Sequence, residues 1–305
     1  MISTQEIIRV EHLTKVYRKG IIGSDATTAL HDVSFSIYEG EILAVLGTNG
    51  AGKTTLTKCI LQLIRPTAGT IVHSEKLFSS SKQLSHIGYL PELFRVPPYM
   101  TAQALLRSLG SLSGLKGKVL DERIRYVLGL VQLEEQATLT TKNYSKGMIV
   151  RLGIAQAILD TPLILFLDEP TDALDPLGKV MVRNLLLELS RQGTTIIINS
   201  HLLSEIELIA HRAAIFHKGK LLRIGTVPEL IGEYTGYYVV LPCYVEFPSG
   251  IPCNHDATGW KCEINSTSQL QECLQFLKTK NITPVNIIPK RTTLEEIFIK
   301  TIVEQ

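Results

Sequence analysis

The fold of this chain is decided by one loop, Gly47-Thr48-Asn49-Gly50-Ala51-Gly52-Lys53-Thr54-Thr55. The loop matches G-x-x-x-x-G-K-[ST], in which glycines let the backbone approach phosphate oxygens and present successive N–H groups to them. The apolar segment Ile42–Leu46 comes directly before it, and a helical pattern begins near Lys53. Because a helix N-terminus carries partial positive charge, this order predicts a strand–loop–helix unit that binds a phosphorylated ligand.

Two side chains of the loop have expected roles of their own. In loops of this type the lysine, here Lys53, reaches the β- and γ-phosphates of a nucleotide. The hydroxyl of the next residue, Thr54, ligates Mg²⁺.

Two acidic residues, Asp168 and Glu169, follow the apolar segment Leu163–Leu167. Open α/β sheets bind their ligands at the carboxyl ends of parallel strands, which is where this order places both carboxylates. We expect Asp168 to join the Mg²⁺ shell and Glu169 to orient and deprotonate an attacking water, a contribution of about 10²–10⁴ in rate. The alternative, a strand that ends in surface polar residues, is disfavoured by the phosphate loop upstream.

Short apolar segments alternate with helical patterns over residues 1–235, which predicts an α/β domain. Residues 236–305 instead predict a small α+β domain. The predicted strands are Ile7–Leu13, Val33–Ile37, Ile42–Gly47, Thr70–Val72, Ile87–Leu90, Leu163–Leu167, Thr195–Asn199, Ala213–His217, Tyr237–Leu241, Trp260–Ile264 and Pro284–Ile288. The predicted helices are Lys53–Leu63, Thr101–Gly114, Leu120–Val131, Gly147–Leu159, Leu177–Arg191, Ser204–Ala210 with Ser204 as its cap, Ser268–Lys280 capped by Ser266, and one from Thr293.

Charge and cysteine content exclude some classes of protein. The 31 Lys and Arg residues nearly balance 29 Asp and Glu residues, which argues against binding of nucleic acid through bulk charge. Five cysteines lack the paired Cys-x₂₋₄-Cys spacing of zinc sites. We therefore expect Cys59, Cys243, Cys253, Cys262 and Cys273 to be free thiols, as in a reducing cytosol.

Several ordered motifs together resemble the ATP-binding cassette (ABC) ATPases over about residues 5–230. Tyr17 lies in LTKVYRKG, and ALHDVSFSIYEGEILAVLGTNGAGKTT resembles the first strands and phosphate loop of that family. YSKGM, Tyr144–Met148, resembles the LSGGQ signature, and LDEPTDALDP resembles Walker B with the D-loop. His201 in NSHLLSEIE matches the switch histidine. In this family such motifs bind and hydrolyse ATP with Mg²⁺.

The resemblance implies roles for individual residues. Tyr17 would stack on adenine, and His201 would contact the γ-phosphate. Ser145 and Gly147 would close on the nucleotide of a second subunit, with Asp175 in the D-loop. Glu92 replaces the usual Q-loop glutamine, where it would ligate Mg²⁺ beside Thr54 and Asp168.

The resemblance also implies an architecture and partners. The expected core combines a P-loop α/β domain, an antiparallel β subdomain and a helical subdomain at about residues 92–160. Implied partners are a transmembrane permease and a second ATP-binding subunit, identical or different, with the protein held at the cytoplasmic face of the membrane by the permease. YSKGM and the ending TLEEIFIKTIVE resemble the branch that energises drug, antibiotic and polysaccharide exporters. The transported substrate stays open. Two alternatives also remain: an ABC ATPase acting in translation or on DNA, and a nucleotide-binding scaffold without turnover.

Overall fold

A computed structural model describes residues 4–19, 25–78, 86–232, 236–247, 250–256, 259–290 and 292–304. The chain divides into two compact units, Met1–Val227 and Pro228–Gln305. The division precedes the domain boundary predicted after residue 235, which itself lies outside the described residues. Among the described helices, none combines the length and apolar character needed to cross a membrane.

The first unit alternates strands and helices. Its strands are β1 (Glu6–Lys19), β2 (Asp25–Tyr38), β3 (Ile42–Gly47), β4 (Ala68–His73), β5 (Ile87–Leu90), β6 (Ile164–Asp168), β7 (Thr195–Ser200), β8 (Arg212–His217) and β9 (Lys220–Thr226). Its helices are α1 (Lys53–Ile60), α2 (Ala102–Leu112), α3 (Gly117–Leu130), α4 (Lys146–Ala157), α5 (Pro176–Arg191) and α6 (Leu203–Glu207), with α7 (Val227–Ile231) at the junction. This confirms the predicted α/β class.

A six-stranded sheet forms the centre of the first unit, in the order β5-β6-β7-β3-β8-β9. All neighbours pair in parallel except β8 and β9. Every residue of β3, β6 and β7 is buried, because helices and a second sheet cover both faces of a parallel sheet. The carboxyl ends of β3, β5, β6 and β7 therefore lie along one edge, where the phosphate loop also begins.

A smaller antiparallel sheet, in the order β2-β1-β4, supplies the predicted β subdomain. Its buried side chains join those of β3 and α1 in one apolar core. Phe35 of β2 meets Phe216 of β8 edge to face, with ring centroids 6.4 Å apart. Burial between the two sheets thus fixes the position of β3 and the loop that follows it.

The helices α2, α3 and α4 form the helical region. Thr101 caps α2 by accepting a hydrogen bond from the N–H of Ala104, and Ser145 caps α4 by accepting one from the N–H of Met148. Arg123 of α3 donates to the carbonyl oxygens of Ile158 and Leu159, which satisfies acceptors left free at the end of α4. The orientation of α4 is therefore tied to α3.

The second unit contains β10 (Gly236–Leu241), β11 (Cys253–Asp256), β12 (Gly259–Ile264), α8 (Thr267–Thr279), β13 (Asn286–Lys290) and α9 (Leu294–Val303). The strands form an antiparallel sheet in the order β11-β12-β10-β13, and α8 contacts β10 and β12. Ser266 caps α8 as predicted. Thr293 caps α9 in a capping box with Glu296.

The expectation of five free thiols is wrong for two of them. Cys253 and Cys262 are direct cross-strand partners on β11 and β12, with Cα atoms 4.0 Å apart, and they form a disulfide. Cys59, Cys243 and Cys273 are free. Sequence spacing could not identify this pair, because β11 was not predicted as a strand and the pairing register decides which cysteines meet.

Other elements also differ from the prediction, and α7 is a helix that was not predicted. β9 was not predicted, since its pattern of partly exposed residues has no sustained alternation. Ser204 does not cap α6; that helix begins at Leu203, its cap position is Leu202, and no side chain caps it. Ser200 instead accepts a hydrogen bond from the N–H of Leu202 and shapes the turn before the helix.

A buried ion pair joins the strands at the amino edge of the large sheet. Glu41 is completely buried, and both its carboxylate oxygens accept hydrogen bonds from Arg212 at 3.1 and 3.2 Å. Burial raises the pKa of Glu41, while the hydrogen bond from the N–H of Tyr38 and the charge of Arg212 lower it. Removing one partner would leave an uncompensated buried charge.

We expect Arg212→Ala to lower the free energy of unfolding by about 3–5 kcal/mol, because Glu41 would lose its counter-charge. Arg223→Ala is the matched control, since Arg223 is exposed on β9; its effect should stay within about 0.5 kcal/mol. Urea unfolding of both variants measures the difference. Equal stability losses would contradict the role given to the ion pair.

Candidate functional site

A cavity of about 310 Å³ opens at the carboxyl edge of the parallel sheet. It is lined by Ala29, Thr48, Asn49, Gly50, Ala51, Gly52, Lys53, Thr54, Thr55, Glu92, Asp168, Glu169 and Asn199. Most of the phosphate loop and both acidic residues at the end of β6 therefore line one cavity. The tertiary structure brings these residues together from segments far apart in the sequence.

The loop depends on glycine at a position of close backbone approach. Gly52 has φ of 102°, and a Cβ atom there would lie 2.4 Å from the carbonyl oxygen of Ala29. Gly52 also occupies the cap position of α1, so no side chain covers the first N–H groups of that helix. The free N–H groups and the helix dipole make this end of the cavity a site for an anion.

Lys53 is the positive group of the cavity. It is 9% exposed, and its Nζ donates hydrogen bonds to the carbonyl oxygens of Gly47 at 2.5 Å and Thr48 at 3.4 Å. Burial lowers the pKa of Lys53, while the carboxylates of Glu169, Glu92 and Asp168 oppose that shift. A bound polyphosphate would supply the opposite charge that this buried ammonium lacks within hydrogen-bond distance.

Asp168 ends β6 with a buried carboxylate. One oxygen accepts a hydrogen bond from Asn199 Nδ2, and the other accepts one from the Tyr89 hydroxyl at 3.1 Å. Burial raises the pKa of Asp168, the two hydrogen bonds lower it, and the charges of Glu92 and Glu169 raise it. The carboxylate is thus held in one orientation beside the phosphate loop.

Glu169 and His201 form a hydrogen-bonded pair at the rim of the cavity. His201 Nδ1 lies 2.9 Å from Glu169 Oε2, and His201 Nε2 lies 3.6 Å from Asp172 Oδ1. Glu169 has φ of 52°, a left-handed conformation that costs free energy for a non-glycine residue. Its N–H donates to the carbonyl oxygen of Asn199 at 2.8 Å, which helps hold this conformation. The strained turn directs the carboxylate toward both the cavity and His201.

The oxygen donors around the cavity fit Mg²⁺. Within the described residues no cluster of three or more His, Cys, Asp or Glu side chains is arranged to hold a metal unaided. Mg²⁺, however, keeps several waters and takes only one or two carboxylates plus substrate phosphates. Asp168, Glu92 and the Thr54 hydroxyl all reach this cavity, and the buried Oδ1 of Asn199 has no partner in the described part of the chain. The donor set suits a hydrated cation bridged to phosphate.

Several predicted site residues lie outside the cavity lining. Tyr17 is on β1, 42% exposed, with the ammonium of Lys15 5.2 Å from the centre of its ring. His201 contacts the cavity only through Glu169, and Gly47 lies at the end of β3 beneath the loop. Asp175 accepts a hydrogen bond from the N–H of Gly178 at 2.9 Å and caps α5.

Ser145 and Gly147, at the start of α4, also do not line the cavity of their own chain. A Cβ atom on Gly147 would lie 3.1 Å from the carbonyl oxygen of Ala173 and 3.3 Å from the side chain of Leu174. The beginning of α4 therefore packs closely on the loop between β6 and α5.

Sequence reasoning missed three residues of the site. Ala29 and Asn199 line the cavity, and Tyr89 bonds to Asp168. One signal could have identified Asn199: it lies at the carboxyl end of a predicted parallel strand, as Asp168 does. Ala29 and Tyr89 carry no such signal, because only the packing of separate strands brings them here.

Comparisons with known proteins agree with this geometry. A sequence profile of the family described as "ABC transporter" matches residues 30–172. An ABC transporter ATP-binding protein of Synechocystis is 34% identical over 98% of this chain and 85% of its own length. The bacitracin transport ATP-binding protein BcrA of Enterococcus faecalis is 37% identical over 75% of this chain and 72% of its own length.

Solved structures give the same result for the fold. The dimeric structure of MJ0796, described as a bacterial ABC transporter cassette, has a TM-score of 0.64 and 25% sequence identity. The match covers 72% of this chain and 99% of the MJ0796 chain. A second structure of MJ0796, with ADP and Pi in a post-hydrolysis state, has the same TM-score, identity and coverage.

We expect Gly52→Ala to weaken nucleotide binding by at least about 10-fold, because the new methyl group would collide with the backbone of Ala29. Gly193→Ala is the matched control: Gly193 has φ of 98° but open space around its Cα. Titration with fluorescent trinitrophenyl-ATP measures both affinities. The two substitutions share the backbone strain, so equal losses of affinity would show that the close approach at Gly52 is unimportant.

Proposed function

This chain belongs to the ABC transporter family as an ATP-binding, ATP-hydrolysing subunit, and from that premise we propose how its own residues carry out the reaction. The substrate is Mg-ATP, bound in the cavity at the carboxyl edge of the sheet. Hydrolysis takes place when two such subunits close on each other, and a separate membrane permease uses that closure to export a substrate.

One observation carries the proposal. The phosphate loop, buried Lys53 and the acidic pair Asp168 and Glu169 line the same cavity, although more than a hundred residues separate the loop from the acids. A cationic, N–H-rich wall opposite carboxylates suits a polyphosphate with a cation between them. The cationic wall alone would repel the cation, and the carboxylates alone would repel the phosphates.

The loop and Lys53 bind the phosphates, and Glu169 acts on the attacking water. His201, bonded to Glu169 Oε2, orients the carboxylate so that its other oxygen can accept the proton of the water. Lys53 stabilises negative charge on the transferring phosphoryl group, where preorganised charges have their largest effect on rate. Thr54, Asp168 and Glu92 would hold Mg²⁺, which would supply positive charge against that of the phosphates. Tyr17 stacks on the adenine ring.

The second subunit supplies groups that this cavity lacks. Ser145 and Gly147 lie at the start of the 12-residue helix α4 but do not line the cavity of their own chain. Their N–H groups are therefore available to the γ-phosphate of a nucleotide bound by the partner subunit. Contact between Gly147 and Ala173 links this helix to the loop that contains Asp175. The dimeric MJ0796 cassette supports this arrangement.

A transmembrane permease is the second partner. Bacitracin transport ATP-binding proteins from two species are among the relatives, which supports the branch that exports antibiotics and drugs. We place the protein at the cytoplasmic face of the membrane, where ATP is available, held there by the permease. The helical region at about residues 92–160 would contact the permease, and the second unit is an accessory domain.

The alternatives make different predictions. A protein acting in translation or on DNA would have relatives of that class, whereas the named relatives with an assigned activity are transport proteins. A scaffold would bind ATP without turnover. Measured hydrolysis by the purified chain separates a scaffold from an ATPase.

We expect Glu169→Gln to bind ATP almost normally but to hydrolyse it about 10²-fold or more slowly, because an amide cannot accept the proton of water. The variant should accumulate an ATP-bound dimer, visible by size-exclusion chromatography. Glu122→Gln, an exposed change on α3, serves as control and should turn over normally. Wild-type turnover in Glu169→Gln would remove Glu169 from the mechanism.

We expect Glu92→Ala to raise the Mg²⁺ concentration needed for half-maximal ATPase activity, because the cation would lose one oxygen ligand. Glu92→Gln should keep the Mg²⁺ concentration for half-maximal activity near the wild-type value, since an amide oxygen also binds Mg²⁺. ATPase assays across a Mg²⁺ titration measure this. Identical curves for wild type and both variants would mean that Glu92 faces solvent and does not ligate the cation.

A further inference from the structure

Two residues to which no role has so far been given, Tyr89 and Asn199, bind the two carboxylate oxygens of Asp168. The Tyr89 hydroxyl donates to Asp168 Oδ2 at 3.1 Å, and Asn199 Nδ2 donates to Asp168 Oδ1. The three residues lie on adjacent strands, β5, β6 and β7. Asp168 and Asn199 are register partners in the parallel ladder, so the backbone itself sets their side chains next to each other.

The contact continues from the sheet into the helix that follows the phosphate loop. Asn199 Nδ2 also donates to the Thr57 hydroxyl on α1 at 2.9 Å. Asp168, Asn199 and Thr57 are all at least 97% buried. This small network therefore connects the acidic side of the cavity with the helix that presents the phosphate-binding N–H groups.

The chemistry of the two donors suits a carboxylate that must bind a cation. A hydroxyl and an amide are neutral, so they fix the plane of the carboxylate without neutralising its charge, as a lysine would. Each oxygen has two lone pairs and accepts one of these hydrogen bonds, which leaves a lone pair on each oxygen for a further ligand.

A purely structural network does not explain the remaining atom of Asn199. Its Oδ1 is buried and has no hydrogen-bond partner in the described residues, yet Asn199 lines the cavity. An unpaired buried acceptor costs free energy, so its persistence beside the cavity indicates a ligand. A water bound to a divalent cation would donate to this oxygen, because such waters are strong donors.

We propose that Tyr89 and Asn199 are positioning residues that set the affinity of the nucleotide site for its divalent cation, acting through Asp168. The inference rests on the proposed binding of Mg-ATP in this cavity. Partners that orient a metal-binding side chain contribute about 10–100-fold to metal affinity. Tyr89 and Asn199 thus adjust the Mg²⁺ requirement without themselves touching the phosphates.

The test separates nucleotide binding from cation binding in the full chain. Trinitrophenyl-ATP is titrated first with EDTA and then with increasing Mg²⁺, and ATPase activity is followed over the same Mg²⁺ series. Tyr89→Phe keeps the ring and removes only the donor. We expect its metal-free nucleotide affinity to stay within about twofold, and its half-saturating Mg²⁺ concentration to rise about 10-fold.

Rescue by the cation distinguishes positioning from packing. At saturating Mg²⁺, kcat of Tyr89→Phe should return to within a few fold of wild type, since only the cation affinity was lowered. Asn199→Ala provides a second variant and should shift the Mg²⁺ requirement in the same direction. Tyr126→Phe, on α3 and outside the cavity lining, is the matched control and should behave as wild type.

Two results would overturn the inference. The first is an unchanged Mg²⁺ requirement in both Tyr89→Phe and Asn199→Ala. The second is a loss of metal-free nucleotide affinity as large as the shift in the Mg²⁺ requirement. An equally large loss of activity that added Mg²⁺ does not restore would have the same meaning. Failure of the proposed function itself is read separately, from wild-type protein that neither binds trinitrophenyl-ATP nor hydrolyses ATP.

Discussion

Parallel pairing of β3 with β7 and β8 is the interaction on which the rest of the structure depends. It aligns strands whose carboxyl ends carry Gly47, Asn199 and Ser200, while β6 pairs with β7 and brings Asp168 into the same row. The strands are fully buried, so their register is fixed by packing on both faces. An apolar sheet therefore places Asp168 and Asn199 at the cavity.

The features of this fold that are unfavourable in free energy are concentrated at the cavity. Lys53 and Asp168 are charged groups buried by 91% or more, and Glu169 adopts a left-handed backbone conformation. Each feature is unfavourable in the folded chain alone and is sustained by surrounding packing and hydrogen bonds. Binding of a polyphosphate with its cation would offset the cost of the buried charges, so ligand binding would also stabilise the fold.

The residues of the reaction fall into groups that act at different places. Most of the phosphate loop and the acids at the end of β6 line the cavity of their own chain, whereas Ser145 and Gly147 do not line it. Close packing of Gly147 against Ala173 connects the second group to the loop after β6. In the proposed reaction, the cavity of one chain binds the nucleotide and a second subunit supplies Ser145 and Gly147.

The sequence by itself determined the phosphate loop, the acidic strand end and the α/β class, because these depend on local patterns of glycine, charge and apolar residues. It also placed most strands and helices, and the cap at Ser266. Only the tertiary structure decided that Tyr89 and Asn199 donate hydrogen bonds to Asp168. The same holds for the packing of Gly147 on Ala173 and for the disulfide between Cys253 and Cys262. Strand order, register and packing, which no local sequence pattern specifies, bring these residues together.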